Sequence, residues 1–184
     1  MRATLKRADW LPLLCALALS AVVSVLVFLY RDALGRLGDW GYAGVFLVQL
    51  VNSLTILLPA VGHVVVLALA TTLNPWLLGL VGGIGAGLGE LSGYVVGMTG
   101  RRMLALDTPL LARLVKFAAR WGGAAIFLFA ATPLPFDVVG IWAGSVRYPL
   151  ARFLLYTITG KIVKVSSLAL AGHYGIRWLE RLFG

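Results

Sequence analysis

Charge is scarce in this chain, and negative charge scarcer still: 12% of its 184 residues are charged, with 7 Asp and Glu against 16 Lys and Arg. A soluble domain carries about 25% charged residues. With 60% hydrophobic residues and a mean hydropathy of +0.93, this chain belongs in lipid throughout. The net charge of +9 would point to nucleic acid in a soluble protein. Here the basic residues lie mostly in the breaks between apolar stretches, where they are membrane-surface charge, so no nucleic-acid partner is expected. The single cysteine, Cys15, excludes an internal disulfide and leaves the redox compartment unread. The two histidines, His63 and His173, lack helical metal spacing, so neither a zinc site nor any other cofactor is expected. A serine protease within the membrane is disfavoured too. Ser92 and His173 are present, but the segment Gly89-Glu90-Leu91-Ser92-Gly93 lacks the tight G-x-S-G arrangement, so the chain is not expected to be an enzyme.

Long uncharged runs take the place of charge. Leu11 to Tyr30 is one, preceded by Arg2, Lys6 and Arg7 and closed by Arg31. Signal-peptide cores run about 7 to 15 residues, so residues 11–30 read as a retained spanning helix, with a cleaved signal as the other reading. The run from Gly41 to Leu73 is interrupted by Asn52, Ser53 and Thr55, then by Pro59 and Gly62. Proline removes a helix hydrogen bond and disfavours helix in the residue before it, so 41–73 reads as two half-helices forming a re-entrant hairpin. Asn74-Pro75 marks a turn, and 76–99 is long enough to cross a bilayer. Residues 101–120 hold five basic residues, with Thr108 as N-cap and Pro109 as first helical residue. Arg113, Lys116 and Arg120 share one face opposite apolar residues, as in an amphipathic helix on the cytoplasmic surface. An ordinary connector is the alternative. Segment 121–146 is apolar again and broken by Pro133 and Pro135, as a second re-entrant hairpin, and 149–174 follows as a spanning helix. The positive-inside rule then puts the N-terminus in the cytoplasm.

Sliding the sequence on itself by 74 positions aligns Pro59 with Pro133, Pro75 with Pro149, His63 with Asp137 and Glu90 with Lys164. The expected fold is therefore an all-α polytopic membrane protein of two inverted repeats behind an N-terminal transmembrane helix, each repeat a broken hairpin and a spanning helix. In secondary transporters, sites form where such discontinuous helices meet near the midplane, because freed backbone groups must face protein or water.

From Gly41 to Gly100 the only formal charge is Glu90. An acid in a bilayer is expensive enough to be a functional hypothesis by default. His63, Glu90, Asp137 and Lys164 form a charge-balanced set. The offset pairs Glu90 with Lys164 and His63 with Asp137, either as static ion pairs fixing helix register or as groups that couple protons and contact a headgroup. Lys161 sits too deep to snorkel, which favours a protein-facing or water-facing role. Gly85, Gly89, Gly93 and Gly97 recur at i+4 and read first as a packing seam. Tyr94, four residues after Glu90, is expected to line a path beside it.

The segments Leu58-Pro59-Ala60-Val61-Gly62-His63 and Gly85 to Gly97, followed by Thr132-Pro133-Leu134-Pro135 and Ala143-Gly144, resemble the DedA family, also called the VTT or SNARE-associated domain family. Glu90 matches the acid of its G-x-x-G-[DE] block, and Tyr94 and Gly97 match the tyrosine and glycine after it. The resemblance implies two facing re-entrant hairpins and movement of phospholipid or a related lipid carrier between leaflets, with dependence on the proton gradient. It also implies the cytoplasmic membrane of a prokaryote, membrane lipids as partners and room for a homo-oligomer. The chain departs from the family in two places: His63 stands where many members have an acid, and Ala130 and Phe136 stand where they have arginines. Arginine grips phosphate at two points, so these departures weigh against a polyprenyl-phosphate substrate and mark a divergent branch. Export of a small solute or cation, and a structural role without transport, are the alternative functions.

Overall fold

The computed structural model describes residues 39–54, 61–99 and 109–183, together with Val22, Val25 and Leu29. The expected spanning helix at 11–30 (apart from those three residues), Pro59, and the basic stretch from 101 to 108 lie outside the described residues.

Among the described residues every regular element is a helix: α1 (Asp39–Leu54), α2 (Val61–Leu69), α3 (Pro75–Gly89), α4 (Leu91–Met98), α5 (Pro109–Trp121), α6 (Gly123–Ala131), α7 (Phe136–Ser145) and α8 (Leu150–Phe183). Two stretches among the described residues are long and apolar enough to cross a bilayer, Pro75–Met98, made of α3 and α4 around Glu90, and Leu150–Gly175 of α8. Large apolar side chains such as Leu47, Val51, Leu80, Val96, Leu155 and Val163 are exposed around the outside. In water so much exposed apolar surface would drive association; in lipid it is the solvated face.

Local sequence explains where the helices stop. Asn74 caps α3 by accepting from the Trp76 N–H at 3.0 Å, with Pro75 at the first helical position, where its missing N–H costs nothing. Between α6 and α7, Pro133 and Pro135 end one helix and set up the next, and Pro135 is extended at φ −68°, ψ 98°. The α7–α8 turn is a Schellman motif. The Tyr148 N–H reaches the Ala143 carbonyl at 2.8 Å and the Arg147 N–H reaches Gly144 at 3.0 Å, with Arg147 at φ +51° where glycine is usual.

Glycines decide which helices touch. A Cβ on Gly79 would meet Ser166 Cα at 2.5 Å, one on Gly83 the Ile162 nitrogen at 2.7 Å, and one on Gly87 Ile158 Cα at 2.8 Å. The partner number falls as the glycine number rises, so α3 and α8 run antiparallel at near backbone contact. The expected ladder faces elsewhere. Gly85 and Gly89 lie against Phe46 and Ser53 of α1, and Gly97 lies against Ile141 and Ser145 of α7. Gly93 is less crowded, its nearest neighbour the Gly140 Cα at 3.9 Å. In these contacts numbers rise together, so α1 runs parallel to α3, and α7 parallel to α4.

Close glycine contacts fix helix directions in the second half as well. Gly123 lies against Tyr156, and Gly160 against the Phe127 carbonyl at 2.7 Å, so α6 runs parallel to α8. Gly172 against Leu67, with a 2.7 Å bond from His173 Nδ1 to the Ala70 carbonyl, sets α2 parallel to α8 as well. The chain thus turns back after α1, and the Asn74 N–H returns to the Tyr42 hydroxyl at 3.0 Å, close to where α1 began. Two apolar clusters result, one around Val45, Val66, Leu78 and Val165, the other around Ile126, Phe129, Phe136 and Phe153.

Candidate polar cavity

Where the two clusters meet, a cavity of about 280 Å³ opens between α1, α2, α3, α7 and α8. Eight of its thirteen lining residues are polar or charged: Gln49, Asn52 and Ser53 from α1, His63 from α2, Glu90 from the α3–α4 junction, Asp137 from α7, and Lys161 and Lys164 from α8. Val165 and Phe136, one from each apolar cluster, close the sides, and Pro135 lies at the rim of the helix break. Glu90 and the two lysines fall within the interior of the apolar spans.

Glu90 is 5% exposed and Lys161 8%. The Lys161 ammonium donates to Glu90 Oε1 in an ion pair, and lies 5.3 Å from the centroid of the Phe136 ring. Neither charge would be tolerable alone at this depth. Geometry chooses Lys161. Helical side chains lean toward their own N-terminus, and in antiparallel α3 and α8 that leaning brings Glu90 and Lys161 toward each other. Lys164 starts about one turn farther away. The expected pairing of Glu90 with Lys164 is therefore corrected: the offset aligns the two positions in sequence, but the axial register of the helices sets which residues touch. Lys164 and Asp137 still act on the Glu90 carboxylate electrostatically. Lys164, half-buried, makes no ion pair with a described residue.

Tyr94 does not line the cavity. It is buried in the second cluster, its hydroxyl donating to the Tyr148 carbonyl at 2.6 Å and its ring 4.9 Å from Phe153. The aromatic side chain is held by packing in the core, and the expectation of a path residue is corrected. Ser92 donates to the Gly89 carbonyl at 3.0 Å, and His173 is spent on Ala70. His63 and Asp137 both line the cavity. Gly62 brings α2 onto the polar patch of α1, where its N–H donates to Asn52 Oδ1 at 3.4 Å and a Cβ would meet Asn52 Cγ at 3.0 Å. Pro133 lines a neighbouring hollow rather than the cavity. Asn52 and Ser53 were visible only as interruptions of an apolar run and Gln49 was not singled out at all, since nothing in the sequence aimed them at Glu90.

No curated protein and no solved structure matches this chain. The family model of the VTT domain matches residues 58–174, a stretch that holds α2 to α7, most of α8 and all the charged residues of the cavity. The protein is thus a membrane protein from a group generally linked to transport or lipid-related roles, and the chain belongs to the VTT domain family, the DedA or SNARE-associated domain.

Proposed function

We propose that this protein moves a membrane lipid between leaflets, passing the headgroup through the polar cavity while the acyl tails stay in lipid. One observation carries the reading: Glu90, Lys161, Lys164, Asp137 and His63 converge on one cavity, the first three from within apolar spans. A purely structural ion pair needs two of these residues; five, with three polar residues of α1, make a surface for a polar guest. Glu90 and Asp137 are the headgroup-contacting or proton-coupling acids, and the lysines balance them. The chain acts as a transporter, with no covalent chemistry assigned.

The reading takes α1–α2 and α6–α7 as re-entrant hairpins in two inverted repeats. Support comes from helix directions: α3 and α8, equivalent under the offset of 74, run antiparallel, and each hairpin's first helix runs parallel to its own spanning helix. Both relations are what a pseudo-twofold axis in the membrane plane requires. The membrane is taken as the cytoplasmic membrane of a prokaryote, with the N-terminus in the cytoplasm and lipids as partners.

A second reading draws on size. At about 280 Å³ the cavity holds a headgroup or a small solute but no whole lipid, so a proton-coupled exporter of a small solute would use the same acids. Liposomes containing the protein and a fluorescent phospholipid separate the two readings. Faster leaflet exchange than in protein-free vesicles supports the lipid reading, and its absence together with solute flux driven by a pH gradient supports the exporter.

A further inference from the structure

Next to the cavity lies a second hollow, of about 770 Å³, between α2, the end of α6 and α8. The two share His63 and Lys164, so these side chains form the wall between them. Away from that wall the hollow is apolar, lined by Val64, Ala131, Pro133 and Leu168, and Pro133 and Ser167 at its margin are exposed. A polar chamber and an apolar groove thus meet at one ammonium group. Lys164 makes no ion pair with a described residue, while Lys161 and Glu90 beside it in the cavity are paired with each other.

We infer that this hollow is a side opening for a phospholipid, with an acyl chain in the apolar groove and its phosphate on Lys164 at the entrance to the cavity. The inference deepens the transport reading and rests on it. Three features select the occupant. An apolar groove facing lipid takes a hydrocarbon chain. A lysine at its inner end adds a compact cation suited to phosphate. The cavity behind continues with the polar side chains of Asn52 and Gln49, which suit the rest of a headgroup. A free phosphate would gain nothing from the groove, and a neutral lipid nothing from the lysine.

Photolabelling in liposomes tests this without requiring transport. Phosphatidylglycerol carrying a diazirine at the acyl terminus, and the matching diacylglycerol, are crosslinked to the full chain and the labelled residues mapped by mass spectrometry. Phosphatidylglycerol is expected to label Val64, Pro133 and Leu168 in excess over Leu128 and Leu155, which line the lipid-facing groove between α6 and α8. Lys164→Gln is expected to lower that excess about tenfold, the loss of one charge-assisted contact, and Lys164→Arg to retain it. Diacylglycerol should show no excess. Even labelling of both faces by phosphatidylglycerol, an equal excess with diacylglycerol, or indifference to Lys164→Gln overturns the side opening. Labelling as expected in a protein that exchanges no lipid leaves the opening standing and removes the transport reading; exchange without the labelling pattern does the reverse.

Discussion

Lys161 reaches toward the N-terminal end of α8 and Glu90 toward that of α3, and because the helices are antiparallel the two charges meet, largely buried at the wall of the cavity. A pair held this way is expensive to break from one side. Glu90→Gln or Lys161→Met alone should destabilise the protein by about 3–5 kcal/mol, and the double variant should recover most of the loss. Thermal unfolding in detergent reads the cycle. Additive losses would show that the two residues do not act as a pair.

The glycines are expected to divide sharply. Gly83→Ala and Gly87→Ala place a methyl against the backbone of α8 and should cost about 1–3 kcal/mol each. Gly93→Ala should be tolerated, since its nearest neighbour is 3.9 Å away. Equal sensitivity at all three positions in a thermal-shift series would contradict the assigned packing.

Tyr94→Phe removes a hydrogen bond to the Tyr148 carbonyl while keeping the ring on Phe153. Stability should fall by about 1 kcal/mol, and transport at a temperature where the protein is folded should be unchanged. A large loss of transport at full stability would return Tyr94 to the path.

At the α7–α8 turn, Arg147 occupies the left-handed position of a Schellman motif. Arg147→Gly should therefore raise stability, by about 1 kcal/mol. A drop in melting temperature would mean that the arginine side chain makes a contact worth more than the backbone strain.

Much of this arrangement was legible in the sequence because breaks are local. Pro133 and Pro135, and the Asn74-Pro75 pair, interrupt helices by their own covalent structure, so they act the same in any tertiary context. The prolines that the offset of 74 aligned, Pro75 and Pro149, likewise mark where α3 and α8 begin. Contacts across the interface were not legible. Lys161 was preferred over Lys164 through the axial register of two antiparallel helices, and that register is set by Gly79, Gly83 and Gly87 against α8, a seam hidden among other glycines. Tyr94 follows Glu90 by four residues, yet its packing on Phe153 and its bond to the Tyr148 carbonyl turn it into the core. Gln49 and Asn52 reach the site because Gly62 lets α2 approach α1, a meeting of residues distant in sequence that no local pattern encodes.

Leaflet exchange of a fluorescent phospholipid, measured side by side for wild type, Glu90→Gln and Asp137→Asn in liposomes, bears most directly on the central claim. Wild type should exchange lipid well above protein-free vesicles, and each variant should slow it by about tenfold or more, as a barrier raised by about 1.4 kcal/mol requires. No exchange by the wild type, or exchange at the wild-type rate in both variants, would contradict a headgroup path through the Glu90 cavity.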